Sequence, residues 1–149
     1  GKKRKKTSGQ YGDVAAIDPC GRPLLELVTI EIKRGYNSYT LMDLLDKPSH
    51  AARQVWEGWI EKAIRDQEAA GSYSWLIISK RDKRLPLVMM SANLREGFSR
   101  YGVFFKPPHL HLAVSIGGVV VRVMAVTLGE FFRKVAQETV KILLEEIKA

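Results

Sequence analysis

Asp13, Glu31 and Lys33 are the residues whose types and spacing best suit chemistry in this chain. Asp13 opens one segment of β-strand character, and Glu31 lies near the end of the next, with a turn between them. Because side chains alternate along a strand, Glu31 and Lys33 are expected on one face and Ile32 on the other. If the two segments pair, two carboxylates and an amine meet at one place.

Two neighbouring carboxylates form a hard oxygen site that suits Mg²⁺, which takes one or two protein carboxylates together with waters and substrate phosphates. Asp13 and Glu31 are therefore the predicted metal ligands, and the main-chain carbonyl of Ile32 is a further candidate. Mn²⁺ is expected to substitute for Mg²⁺. The chemistry indicated is hydrolysis of phosphodiester bonds, in which the ion polarises a phosphoryl oxygen and helps to generate hydroxide. Lys33 would orient the attacking water or stabilise the developing charge.

The elements around these residues follow from periodicity. Residues 14–17 and 24–33 have strand character and are separated by a Pro- and Gly-containing turn at 19–23, which predicts a hairpin. Apolar residues at three- and four-residue spacing over 51–64 predict a helix that ends at Gly71. The hairpin would position the site, and the helix would pack on it.

The remainder of the chain adds strands and a helical end. Four further segments have strand character: 73–79, 85–90, 109–116 and 119–126. Gly117-Gly118 between the last two predicts a tight hairpin. A short helical turn is expected at 41–45, a buried segment at 103–105, and helix over 128–147. This order predicts a mixed β-sheet core flanked by helices, in the α/β or α+β class.

Length and composition predict one domain. The chain has 149 residues, of which 46% are hydrophobic, and this is enough for one core. We expect a flexible basic segment over 1–10 and one domain over 11–149. The single cysteine, Cys20, fits a reducing compartment, so the cytoplasm is the expected location. No run approaches the roughly 20 apolar residues of a membrane helix, and no membrane association is expected.

The charge balance favours a polyanionic partner. The formal net charge is +8, and the five cations of residues 2–6 leave a net +3 on the rest of the chain. Lys and Arg that neutralise phosphates release condensed counterions, so DNA is the expected partner. Anionic lipid is less favoured because no amphipathic helix adjoins the cluster, and a merely solubilising tail is the alternative. The predicted DNA contacts are Lys2, Lys3, Arg4, Lys5, Lys6, Arg34 and Tyr36.

Two motifs carry a resemblance to a known family: Tyr11-Gly12-Asp13-Val14 and, after a Pro/Gly turn, Ile30-Glu31-Ile32-Lys33-Arg34. They resemble the PD-(D/E)xK nuclease superfamily, in particular phage endonucleases and archaeal-type Holliday junction resolvases. The tryptophan-containing helix and the strands up to residue 90 are also similar, so the resemblance covers residues 8–90. It implies a restriction-endonuclease-like fold, Mg²⁺ on Asp13 and Glu31, and assistance to hydrolysis by Lys33.

The chain departs from the family pattern at two points. The residue before Asp13 is glycine, where the family motif has proline. Members often carry a further acidic residue on a helix before the hairpin, whereas this chain begins with lysines. Either that helix precedes Gly1, or the site has one ligand fewer.

The sequence therefore predicts a Mg²⁺-dependent DNA endonuclease acting on branched or phage DNA. One alternative is a DNA-binding protein with the nuclease fold and no cleavage activity. Another is an interaction module in which Glu31 and Lys33 form an ordinary surface ion pair. Whether the protein works as a monomer or a homodimer stays open.

Several other residues are candidates for the site or the core. His109 and His111 alternate on a predicted strand, where two histidines are more often structural than metal ligands. The tryptophans of apolar patterns are expected in the core: Trp56, Trp59 and Trp75. Tyr36 and Tyr39 are candidates to contact a nucleic-acid backbone. The resemblance suggests three more residues that reach the site: Gln54, Lys62 and Lys80.

Overall fold

The computed structural model describes residue 12 and residues 21–47 and 53–149, and the structural statements that follow concern these residues. They form an α+β fold in which a mixed five-stranded sheet is flanked by helices. The predicted class is therefore confirmed. The restriction-endonuclease-like assignment stays a prediction.

Ten helices and strands make up the described part of the chain, in the order α1 (Arg22–Leu27), β1 (Val28–Arg34), α2 (Val55–Ala70), β2 (Ser74–Lys80), β3 (Leu87–Ser91), α3 (Ala92–Ser99), β4 (Leu110–Ile116), β5 (Val119–Thr127), α4 (Leu128–Lys134) and α5 (Gln137–Lys148). A 3-10 turn at Leu41–Leu44 confirms the short helical turn predicted there. The strand order across the sheet is β1-β2-β3-β5-β4.

The parallel pair β1 and β2 is the part of the sheet that carries the E-x-K motif. Parallel neighbours need a crossover connection, and α2 provides it. In the register of this pair, Glu31 lies beside Ile77 and Lys33 beside Ser79. The remaining neighbours in the sheet are antiparallel. The carboxyl ends of β1 and β2 therefore lie at one edge, where Lys33 is found.

Two apolar clusters lie on opposite faces of the sheet. One face is covered by α2, with Trp56, Trp59, Trp75 and Ile77 buried beneath it, and we call it the α2 face. The other is covered by α1, α3, α4 and α5, and we call it the α3 face. Neighbouring strand residues alternate between the two clusters, as the pleat requires. Burial of the three tryptophans confirms their predicted place in the core.

The predicted strand over 24–33 is wrong in its first part. Residues up to Leu27 form α1, and β1 begins at Val28. Pro23 in the first helical turn costs no hydrogen bond and presets the helical φ, which favours the helix. Leu24 and Leu25 then pack against the cluster on the α3 face. The predicted turn over 19–23 is also wrong at Arg22 and Pro23, which belong to α1. The other predicted hairpin strand, over 14–17, and the first two residues of that turn lie outside the described residues.

The carboxyl-terminal third of the chain is partly as predicted. Gly117 and Gly118 join β4 to β5 with φ of +57° and +80°, which confirms the hairpin. The sequence pattern does not predict helix α3, because only Leu94 and Phe98 carry a helical apolar spacing in this short segment. Phe104, expected to be buried, is 68% exposed.

The end of the chain is helical, as predicted, but it is divided. The break between α4 and α5 follows Val135, which has an extended conformation with φ of −92° and ψ of 97°. Val135 is buried beside Phe131 and Val140 in the cluster on the α3 face, so packing holds the break. None of the helices in the described ranges combines the length and apolar character needed to cross a membrane.

Gly12 lies against the main chain of β1. Its φ is +78°, and a Cβ atom there would lie 2.7 Å from the carbonyl oxygen of Ile30 and 3.3 Å from its nitrogen. A carbon atom cannot sit that close to a backbone oxygen, so the contact requires glycine. The residue directly before Asp13 in the chain thus touches the strand that carries Glu31.

We predict that Gly12→Ala destabilises the protein more than Gly71→Ala. Gly71 also has a positive φ, of +69°, but nothing lies within 4 Å of its Cβ position. Gly71→Ala should therefore cost about 1 kcal/mol of conformational strain. Gly12→Ala should cost about 2 kcal/mol or more, because a steric clash is added. Urea denaturation measures both, and equal losses would contradict the contact with β1.

Candidate functional site

Glu31 is a buried carboxylate on β1. It is 1% exposed and lies on the α2 face. The Lys62 ammonium, on α2, donates a hydrogen bond of 2.9 Å to Oε1 of Glu31. A charged group removed from water is tolerated when it is paired and hydrogen-bonded. Lys62 meets that requirement across 31 residues of sequence.

Lys62 lies between two carboxylates. Its Nζ also donates to Oδ2 of Asp66, at 2.8 Å, one helical turn further along α2. Burial acts to lower the pKa of Lys62, but hydrogen bonds and charge from Asp66 and Glu31 outweigh it and raise the pKa above its ordinary value. The stabilisation from this raised pKa is complete below the unfolded-state value of 10.5 and is lost as the pH rises through the folded-state pKa.

Lys33 lies on the same face of β1 as Glu31, as predicted. Two residues along a strand separate their Cα atoms by about 7 Å. The ammonium of Lys33 is 5.7 Å from the ring centroid of Trp59, over the face of the indole. A cation over an aromatic face is attracted by the ring quadrupole, which holds Lys33 towards α2.

An aromatic cluster surrounds Trp59 beside Lys33. The ring of Tyr36 lies 4.9 Å from that of Trp59, Tyr39 lies at 6.5 Å, and Trp56 at 4.8 Å, all in edge-to-face arrangements. Tyr36 and Tyr39 remain 43% and 39% exposed. The two tyrosines therefore lie on the solvent side of the cluster, where a ligand can contact them.

The loop after β1 is hydrogen-bonded to β2 and to the turn that follows it. The amide of Gly35 donates to the carbonyl of Lys80 at 3.1 Å, which continues the ladder between β1 and β2. Asn37 and Asp82 exchange two hydrogen bonds, of 3.0 and 2.8 Å, between this loop and the turn from β2 to β3. These bonds set the position of Tyr36 relative to Lys33.

The structure brings some predicted site residues together and separates others. Glu31 and Lys33 lie on the α2 face, where Glu31 is paired with Lys62. Lys33 and Tyr36 both contact Trp59. The alternation of the strand directs Ile32 and Arg34 to the opposite side, and the side chain of Ile32 is 46% exposed. Asp13, Lys2, Lys3, Arg4, Lys5 and Lys6 lie outside the described residues. The pairing of Asp13 with Glu31 therefore stays a prediction.

The three further candidates have different outcomes. Lys62 reaches Glu31, whereas the ammonium of Lys80 donates to the carbonyl of Arg81 at 2.6 Å. Gln54 is the residue that precedes the first turn of α2. The sequence reasoning missed Asp66, although its spacing from Trp59 and Lys62 places all three on one face of a helix. That spacing was the available signal.

The donor atoms fit Mg²⁺ in type. The Glu31 carboxylate and the Ile32 main-chain carbonyl are hard oxygen ligands of the kind that this ion prefers. Among the described residues, no three His, Cys, Asp or Glu side chains are grouped to hold a metal ion. The predicted site therefore needs Asp13, and a cation on Oε1 of Glu31 would compete with Lys62 for that oxygen.

Known proteins offer no guide to this site. The chain matches no protein-family model, no curated protein and no solved structure. The functional conclusion therefore rests on the residues and geometry of the site.

We predict that Lys62→Met lowers the free energy of unfolding by about 1–3 kcal/mol at neutral pH. Breaking a fully buried ion pair costs about 3–5 kcal/mol, and the partial exposure of Lys62 reduces that figure. Combined with Glu31→Gln, the loss should fall short of the sum of the single losses, because the two residues interact directly. Urea denaturation of the four proteins gives this coupling.

The exposed Arg53–Glu61 ion pair serves as the control for that cycle. Arg53→Ala should change stability by less than about 1 kcal/mol, as exposed pairs do. Strictly additive losses for Lys62→Met and Glu31→Gln would contradict a direct ion pair.

Proposed function

We propose that the protein is a Mg²⁺-dependent endonuclease that hydrolyses phosphodiester bonds in DNA, with Asp13, Glu31 and Lys33 as catalytic residues. One observation carries the proposal: a buried carboxylate and an ammonium project from the same face of β1, near the carboxyl edge of a parallel strand pair. Removing a carboxylate from water is costly unless a cation compensates it. A site built around such a carboxylate suits cation-dependent chemistry.

Each residue has a distinct task in this mechanism. In hydrolysis, the oxygen of water bonds to phosphorus, the bond from phosphorus to one ester oxygen breaks, and the leaving oxygen takes a proton. Mg²⁺, when bound, supplies Lewis-acid activation of the phosphate and of the water. Glu31 and Asp13 would hold the ion, with Glu31 oriented by Lys62. Lys33, restrained over Trp59, stabilises the negative charge that grows on the phosphate oxygens.

Cations around the edge of the site support a polyanionic substrate. Residues 80–84, at the end of β2 and in the turn to β3, contain four cations and one acid. Hydrogen bonds with Asn37 bring this turn beside the loop that holds Tyr36. Phosphates on a strand that enters the site would meet these cations first, and Tyr36 and Tyr39 could contact its sugars or bases.

A second function is favoured by the ion pair between Lys62 and Glu31. An ammonium already binds the proposed metal-ligating carboxylate, at 2.9 Å. A protein that keeps this arrangement when DNA is present would bind DNA without cutting it. We propose the cytoplasm as the location for either function, since reducing conditions suit the single Cys20.

We predict that Lys33→Ala lowers the cleavage rate at saturating DNA by about 100-fold or more, as loss of a charge-stabilising donor does. DNA affinity should change by less than about threefold, because ground-state binding is shared among many cations. Glu31→Gln should also slow cleavage, and calorimetry should show weaker Mg²⁺ binding. The assay uses plasmid and branched DNA over a range of Mg²⁺, with the protein at its natural length.

Lys83→Ala is the matched control, since it removes an exposed lysine from the turn at residues 80–84. It should lower DNA affinity slightly and leave the saturated cleavage rate unchanged. If the wild-type protein binds all substrates and cuts none at any Mg²⁺ concentration, the DNA-binding function replaces the nuclease.

We predict that replacing the five cations of residues 2–6 with glutamine weakens DNA binding in a salt-dependent way. The slope of log affinity against log salt should shrink by roughly 0.9 for each phosphate of duplex DNA that the segment no longer neutralises. Fluorescence anisotropy at several salt concentrations measures this slope. An unchanged slope would show that the segment does not contact DNA. The cleavage rate at saturating DNA should be the same with and without the five cations.

A further inference from the structure

A second basic region lies on the α3 face, between α3 and the β4–β5 hairpin. A groove of about 280 Å³ is lined there by Arg95 of α3 and by His111 and Arg122 of the hairpin. An adjoining groove of about 150 Å³ shares Arg95 and His111 and adds His109 and Phe104. Because the two grooves share Arg95 and His111, we treat them together and call them the arginine channel. It lies on the face of the sheet opposite Glu31.

The arginine channel has more positive charge than its own residues compensate. Among the residues that the structure describes, Arg95 makes one ion pair, with the neighbouring Glu96 at 3.9 Å, and the Glu96 side chain is 64% exposed. Within the described ranges, Arg122 takes part in no ion pair. The pKa of His111 lies below its ordinary value because of burial first, and then because of the charges of Arg95 and His109. Glu96 also lines the larger groove, so two guanidinium groups face one carboxylate there and the channel keeps a net positive charge.

His109 lines the smaller groove and carries a buried polar atom. Its Nδ1 is buried and has no hydrogen-bond partner among the residues that the structure describes. Buried polar atoms are nearly always hydrogen-bonded in native proteins, so this nitrogen needs a partner that the described residues do not supply. The ring of His109 packs edge-on against His111 at 5.2 Å, which keeps both imidazoles at the channel.

The residue types favour phosphate as the anion. Guanidinium groups bind phosphate with paired hydrogen bonds, and two of them face this channel. Phe104, 68% exposed beside the cations, offers a face on which a base can stack. Cations along a groove with an exposed aromatic ring are typical of sites for single-stranded nucleic acid.

We propose that the arginine channel binds a single strand of DNA, with a phosphate on Arg95 and Arg122 and a base against Phe104. The choice of DNA rests on the proposed function, whereas the phosphate site does not. Because the channel and Glu31 lie on opposite faces, the strand held here is a different segment from the one at Lys33. The channel would bind a single-stranded segment of the DNA substrate outside the site of cleavage.

The first test measures binding of a 20-nucleotide thymidine strand and of a matched duplex by fluorescence anisotropy. Arg95→Gln combined with Arg122→Gln should weaken strand binding about tenfold or more, and duplex binding much less. Phe104→Ala should also weaken strand binding about tenfold, since stacking is removed. The control, Arg65→Gln with Arg133→Gln, removes the same charge elsewhere. Circular dichroism confirms that each variant is folded.

The proposal would be overturned if the variant with Arg95→Gln and Arg122→Gln bound the single strand as tightly as the control variant does. Loss of strand and duplex binding to the same extent would also overturn it, because it would indicate a general charge effect. Absence of DNA cleavage would remove the proposed nuclease function and leave this result standing, since binding is measured without Mg²⁺.

A second test uses inorganic phosphate and the imidazole signals of His109 and His111 in proton NMR. Phosphate should shift both signals in the wild type, in Phe104→Ala and in the control with Arg65→Gln and Arg133→Gln, but not in the variant with Arg95→Gln and Arg122→Gln. Phosphate binding without strand binding would overturn the DNA assignment, and no shift in the wild type would overturn the phosphate site. The arginine substitutions therefore separate recognition of phosphate from stacking on Phe104.

Discussion

Burial of the Glu31 carboxylate is the constraint on which the rest of the site depends. A negative charge in the interior must be balanced at short range, and Lys62 supplies the balance from α2. The helix is thereby held over β1 in one rotational setting, with Trp59 and Lys62 on the side that meets the strand. Asp66 adds a second acceptor to the same ammonium, so Lys62 is held from both sides.

The setting of α2 in turn decides what surrounds Lys33. Trp59 lies under its ammonium, and Tyr36 and Tyr39 pack against the same indole. The loop that carries the tyrosines is anchored through Asn37 to the β2–β3 turn. Charge, aromatic surface and a basic turn therefore meet at one edge of the sheet, although they come from three separate segments of the chain.

The two faces of the sheet carry different charged groups. On the α2 face, the Glu31 carboxylate is the central charge and Lys62 compensates it. On the α3 face, the apolar cluster ends at the arginine channel, where Arg95 and Arg122 exceed the nearby acids. The sheet separates the two regions, so a substitution in one region does not directly contact residues of the other.

The sequence by itself determined the local relations of this protein. The period of two on β1 put Glu31 and Lys33 on one face, the helical spacing located α2, and Gly117-Gly118 located a hairpin. Only the tertiary structure decided that residues 24–27 join a helix, because packing on the α3 face outweighs their strand propensity. It also decided that Lys62 neutralises Glu31. Such pairings depend on how distant elements pack, which local periodicity does not encode.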